Sequence, residues 1–193
     1  MPQARKRCQV KTGNLDGSVK KTEECATVKH MEIGSRPPQE GGAAPRFVAD
    51  AMLGRLARWL RILGYDAEYF PGDDDDLLRL ARQEGRVLLT RDTRLLQRRP
   101  LPPHLFIESD HVMQQLRQVV VGLGLDPATP PSHRCSCCNV VLEPRDRAQV
   151  ADLVPEFVFG NYEAFWACPR CQRIYWAGTH WQRMGEAIRS LRQ

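Results

Sequence analysis

RFVADAMLGRLARWLRILGYDAEYF, residues 46–70, is the stretch that decides the fold. Phe47-Val48-Ala49 is a short apolar run of the kind that forms a buried strand. From about Met52 to Leu63, the residues Leu53, Leu56, Ala57, Leu60 and Leu63 fall on one face of a helix, and Gly64 ends it. Ala67 to Phe70 reads as a second strand, closed by the turn Pro71-Gly72.

The same alternation continues downstream. A helix is expected from about Asp74 to Glu84, with Gly85 closing it, followed by the strand Val87-Leu88-Leu89-Thr90. A short helix from Thr93 to Arg98, a strand Leu105-Phe106-Ile107 and an amphipathic helix from Asp110 to Leu123 complete the series. Strand and helix in alternation imply an α/β fold, a parallel sheet with helices on both faces. Asp126 to Pro131 reads as a linker, and residues 1–45 as a disordered tail without helical or strand period.

Acidic residues recur where strands end. Asp50 follows the first strand, Asp73 to Asp76 the second, Asp92 lies two positions beyond Thr90, and Asp110 comes just after Ile107. In a parallel α/β sheet the carboxyl ends of the strands share one edge, where ligands bind. Carboxylates gathered there repel one another unless a hard cation joins them, and Mg²⁺ favours carboxylate and water oxygens. Such an ion suits phosphodiester hydrolysis. Each acid also has a plainer reading, since Asp caps helix N-termini and every one of these sites precedes a helix. Capping alone, however, would equally accept Ser, Thr or Asn, and this sequence uses Asp each time. Arg55, Arg58 and Arg61 are spaced by three along the first helix and Arg91 sits beside Asp92, so that all four are candidates for phosphate contacts; a solvated basic face is the alternative.

The remainder has a different character. Cys135/Cys138 and Cys168/Cys171 are two Cys-x-x-Cys pairs, the spacing that lets two tight turns close a tetrahedral zinc site. The 29 residues between the pairs exceed the usual ribbon spacing, which calls for an inserted hairpin or helix around Ala148–Phe159. Cys137 is spare by its one-residue gap, and His133 and His180 are weaker substitutes. Cys8, Cys25 and His30 have no ligand spacing. A ribbon this small depends on its metal for folding energy. The aromatic residues Phe165, Trp166, Tyr175, Trp176 and Trp181 pack around the site or stack on bases, packing being the commoner use.

Composition narrows the class. The 193 residues are 42% hydrophobic and 26% charged, with net charge +5, a globular balance that permits a phosphate-bearing partner. No apolar run reaches the roughly 18 residues of a membrane span, and the N-terminus lacks the apolar core of a secretory signal. The expected setting is intracellular, cytoplasmic or nuclear.

Three segments carry a family likeness: Arg46 to Asp66, Arg86-Val-Leu-Leu-Thr90-Arg-Asp92, and Cys168-Pro-Arg-Cys171 through Tyr175-Trp-Ala-Gly-Thr-His180-Trp. Together they resemble the C-terminal RNase domain of Mut-seven-type proteins, a PIN-fold nuclease with a fused zinc ribbon. The resemblance implies a PIN-like parallel sheet over residues 46–126, a ribbon over 132–184 and a short C-terminal helix to 193. It implies Mg²⁺- or Mn²⁺-dependent RNA cleavage. By motif, Asp50, Asp74 and Asp92 would hold the ion, with Asp110 a fourth catalytic acid and Asp73 or Asp75 able to share the role of Asp74. Cys135, Cys138, Cys168 and Cys171 would hold structural zinc. Animal members carry a 3′–5′ exonuclease domain ahead of this region, so this chain is expected to be a short form, active or inactive. The partner is RNA, with single-stranded DNA and self-pairing as further candidates. A non-catalytic zinc-ribbon nucleic-acid-binding module is the rival reading, and a protein-interaction module a weaker third.

Overall fold

The computed structural model describes residues 44–126 and 129–177. The expectations for Cys8, Cys25, His30, His180, Trp181 and the C-terminal helix to 193 fall outside the described residues.

Phe47, Val48 and Ala49 form β1 (Phe47–Ala49), each with no exposed surface, as a strand covered on both faces requires. A single 3₁₀ turn over Ala51–Leu53 precedes α1 (Gly54–Ile62). The helix therefore begins two residues later than its apolar pattern suggests, because Asp50 caps that first tight turn by accepting from the Met52 N–H. α1 buries Leu56, Ala57 and Leu60. Gly64, at φ +86°, turns the chain into β2 (Ala67–Tyr69).

The helix α2 (Asp74–Glu84) has both ends fixed locally: Asp73 accepts from the Asp76 N–H at 3.0 Å, and Gly85 closes it in the left-handed region at φ 60°. Next come β3 (Val87–Thr90), a 3₁₀ turn over Leu95–Gln97, β4 (His104–Phe106) and α3 (Val112–Gly122). The last strand sits one residue earlier than expected and its helix is shorter at the start.

The four strands pair in parallel in the order β2-β1-β3-β4. Val48 and Leu88 point towards α2 and pack with Leu77, Leu78 and Ala81. By the two-residue alternation of strands, Phe47, Ala49 and Leu89 face the other side, where α1 packs against α3. Connections leave β1 towards β2 and leave β3 towards β4, so the crevice beyond the carboxyl ends of β1 and β3 is the switch point of the sheet.

A second, antiparallel sheet follows, made of β5 (Glu143–Arg145), β6 (Phe165–Ala167) and β7 (Ile174–Trp176). The insertion anticipated from the long gap between cysteine pairs is two short helices, α4 (Arg147–Val150) and α5 (Glu156–Asn161), which place Val150 and Val158 against Phe165. Among the described residues no helix is long and apolar enough to cross a membrane.

Candidate active site and metal centre

At the switch point Asp50 is 6% exposed and fully engaged by the polypeptide around it. One carboxylate oxygen accepts from the Met52 N–H at 2.9 Å. The other accepts from the Thr90 hydroxyl, at the end of the neighbouring strand, and from the Arg91 N–H at 3.2 Å. The Thr90 oxygen in turn accepts from the Asp92 N–H at 2.9 Å, and an Asp92 oxygen accepts from the Arg94 N–H at 2.8 Å. Thr90, with no exposed surface, thus ties two acidic residues forty-two positions apart in the chain to one edge of the sheet. β1 and β3 lie in register Ala49↔Leu89, which sets Asp50 opposite Thr90.

Asp110, Asp74 and Asp75, at the same edge, are held by arginines. Asp110, on the loop after β4, forms an ion pair with Arg91, the same residue whose backbone serves Asp50. Asp74, in the first turn of α2, pairs with Arg98 at 3.4 Å, and Asp75 pairs with Arg98 as well. Asp73 acts as the helix cap, and its bond from the Asp76 backbone holds its carboxyl below the usual carboxylate range. Beside these residues Arg79, Arg82, Arg98 and Arg99 line an open cleft of about 550 Å³. Arg98 was not singled out in the sequence: it carries no motif, and only folding brings it to α2.

Of the arginines on α1, Arg55 and Arg58 are exposed. Arg61, expected beside them as a phosphate contact, is 8% exposed and turned inward. Its Nε donates to the Ala67 carbonyl at 2.7 Å, and its Nη1 donates to the Cys137 carbonyl at 2.9 Å. Burial pulls its pKa down, with the Glu68 charge opposing. It fastens the N-terminal end of β2 to the first cysteine turn.

That turn and its twin repeat one geometry. The Cys138 N–H donates to the Cys135 sulfur at 3.2 Å, and the Cys171 N–H to the Cys168 sulfur at 3.4 Å. Asn139 and Gln172, each directly after the second cysteine, adopt positive φ (63° and 60°) and donate their N–H back to the first cysteine's carbonyl, both at 2.9 Å. The four Sγ atoms of Cys135, Cys138, Cys168 and Cys171 lie within 4.8 Å of one another, with Cys135 and Cys171 3.7 Å apart. A tetrahedral zinc with bonds of about 2.3 Å needs sulfur pairs roughly 3.8 Å apart, so the donor set fits that ion. Burial pushes the Cys135 thiol up, but bonds from the Tyr175 hydroxyl and from backbone N–H groups outweigh it and hold it at about 7. Cys137 is exposed and outside the group. His133 is also outside it, its ring 4.9 Å from that of Trp166. Among the described residues this is the one cluster of three or more Cys, His, Asp or Glu side chains placed to hold an ion; the acids of the sheet edge do not form such a group.

Asn139 also anchors the turn to the first sheet. Its amide accepts from the Ala67 N–H at 3.1 Å and donates to Asp66 at 2.7 Å, while Arg86 pairs with the same Asp66 oxygen at 2.6 Å. Burial opposes ionisation of Asp66, but the bonds from Arg86 and Asn139 prevail and hold its carboxyl below the usual range. The cysteine turn therefore sits against the start of β2, at the edge opposite the acids.

The family model of the Mut7-C RNAse domain matches residues 45–188, a span that includes the acid edge and both cysteine turns. No curated protein and no solved structure matches the chain. An RNAse domain implies a nucleic-acid substrate. By the extent of that match, and with sheet and cysteine turns both inside it, the chain belongs to the Mut7-C RNAse domain family.

Proposed function

We propose that the chain is a divalent-metal-dependent ribonuclease that hydrolyses the phosphodiester backbone at the crevice beyond β1 and β3, with residues 46–126 as its nuclease domain and 132–184 as a zinc ribbon. The observation that carries this is the Asp50–Thr90–Asp92 relay at the switch point. An oxygen donor set of this kind suits Mg²⁺ or Mn²⁺, and the hydroxyl and backbone bonds to Asp50 are the outer supports that orient a ligand carboxylate. Asp50 and Asp92 would hold the ion, joined by Asp74 and by Asp110 once their arginines are drawn off. When bound, the ion supplies activation of water and neutralisation of charge at the phosphate.

The chain's own residues do the rest. Burial of Asp50 keeps water away from one side of the carboxylate and fixes its orientation. Arg91 and Arg98, each paired to an acid in this arrangement, have the fork geometry to exchange that partner for a phosphate oxygen. Arg55, exposed at the start of α1, and Arg58 extend the contact along the backbone of the RNA. The four thiolates would hold structural zinc.

A non-catalytic nucleic-acid-binding module is the second reading, and the pairing of Asp74 and Asp110 with arginines favours it. Labelled RNA incubated with Mg²⁺, with Mn²⁺ or with neither separates the two. Metal-dependent products are expected from the parent and none from Asp50→Asn or Asp92→Asn. The loss should exceed the roughly 10–100-fold seen when only a supporting group is removed. Binding without products would remove the nuclease assignment, and cleavage at the parental rate by both variants would remove the assigned site. A single-stranded DNA arm reads the sugar preference.

A further inference from the structure

A second feature lies away from the acids. Between α1 and the antiparallel sheet is an open cleft of about 440 Å³, lined by Arg58, Ser136, Gln172, Arg173, Tyr175 and Trp176 among others. Among the described residues no carboxylate lines it. Among the described residues neither Arg58 nor Arg173 forms an ion pair with a carboxylate, in contrast to the arginine cleft beside α2, where Arg79 and Arg98 are already paired with Asp76, Asp74 and Asp75. Burial lowers the Arg173 pKa, but the charges of Cys137, Cys171, Tyr175 and Cys135 outweigh it, so Arg58 is the freer of the two cations. Tyr175 is committed to the Cys135 sulfur through its hydroxyl. Trp176 is half-buried, packs on the Val150–Val158–Phe165 cluster and contributes to the cleft.

The position of the cleft is as telling as its lining. α1 starts at the acid edge and runs down to the cysteine turn, where Arg61 grips the Cys137 carbonyl. Six residues from Arg55 to Arg61 rise about 9 Å along the axis. Arg58 stands midway, exposed, and is shared between the helix surface and the cleft. A polyanion held at the acid edge thus finds uncompensated positive charge down one helix, and at its end an aromatic ring beside another arginine. Arginine for the backbone and an aromatic face for the base are the two elements of single-strand recognition.

We infer that the cleft between α1 and the ribbon is a subsite for single-stranded RNA, at which Arg58 and Arg173 take backbone phosphates and Trp176 stacks on a base a few nucleotides from the acid edge. The inference rests on the nucleic-acid reading above and not on cleavage. A base inside a duplex has both faces covered, so the subsite selects unpaired strand.

The test is fluorescence anisotropy on the zinc-loaded full chain without added Mg²⁺ or Mn²⁺, using a short labelled single strand and a hairpin of equal length. The single strand should bind more tightly. Arg58→Ala and Trp176→Ala should each weaken it roughly tenfold, and Arg58→Ala should lower the slope of log affinity against log salt by about 1. Trp176→Ala also removes packing, so the parent is additionally photocrosslinked to the strand carrying thiouridine, with adducts expected on the peptide that contains Tyr175 and Trp176. Parental affinity in Arg58→Ala, equal binding of the hairpin, or adducts confined to the Arg98 region would overturn the inference. If binding follows the cleft but RNA is never cut, the nuclease reading fails and the subsite stands; if RNA is cut with the cleft variants binding normally, the reverse holds.

Discussion

The acid edge of the parallel sheet and the cysteine centre of the ribbon are both places where like-charged ligands meet, yet they are assembled in opposite ways. Each cysteine pair is closed by its own backbone, an N–H to sulfur bond across three residues, so half of the centre exists before any distant segment arrives. One long-range meeting, with Cys135 and Cys171 3.7 Å apart, finishes it. The acid edge draws on β1, β3, α2 and the loop after β4. Thr90 links the Asp50 carboxylate to the Asp92 backbone, while Asp110 leans on Arg91 and Asp74 and Asp75 lean on Arg98. Cysteines at fixed local spacing can wait for an ion as neutral thiols, burial and the neighbouring sulfurs pushing Cys138 and Cys168 up. Carboxylates from separate strands need compensating charge to coexist, and here arginine provides it.

The largest effect should come from breaking the cysteine half. Cys168→Ser removes a ligand from a site whose metal contributes an apparent 10–16 kcal/mol or so to folding in small zinc modules. Zinc content should fall to near zero and limited proteolysis should cut within residues 132–177 while the parallel sheet survives. Cys137→Ser, outside the group, should keep full zinc. Stoichiometric zinc in the Cys168 variant would show that the centre does not depend on the tetrad.

At the acid half, Thr90→Val keeps the shape of a fully buried side chain and deletes the hydroxyl that joins Asp50 to Asp92. RNA cleavage should fall about 10–100-fold, as for other supports of ligand carboxylates. Unchanged steady-state rates would mean that the relay orients nothing.

A smaller effect is expected at the seam between the halves. Gly64 has φ +86°, and a Cβ there would stand 2.2 Å from the Ser132 carbonyl oxygen. Gly64→Ala should cost about 1–3 kcal/mol in urea unfolding, with zinc retained. A variant as stable as the parent would show that the seam yields at little cost.

Legibility followed the range of the interactions. The bounds of α2 and β3 could be read because Asp73 and Gly85 cap the helix within its own segment. The cysteine tetrad was legible from spacing for the same reason, as was an insertion between its pairs, though spacing left open whether that insertion was a hairpin or helix. Arg61 was misread by the rule that grouped it with Arg55 and Arg58. A step of three residues falls about 60° short of a full turn, so two such steps rotate Arg61 roughly 120° away from Arg55, onto the side that meets the ribbon. Arg98 and Asn139 carried no signal, and Thr90, though inside a family motif, carried none for its role. Each owes its role to a partner at least twenty residues away: Asp50 for Thr90, Asp74 for Arg98, Asp66 for Asn139.

The central claim, that acids from separate strands share one divalent cation, is tested most directly by Mn²⁺ titration of the zinc-loaded chain followed by electron paramagnetic resonance. Saturable Mn²⁺ binding is expected in the parent and its loss in both Asp50→Asn and Asp92→Asn, with zinc content unaltered. Parental Mn²⁺ affinity in both variants would contradict the claim.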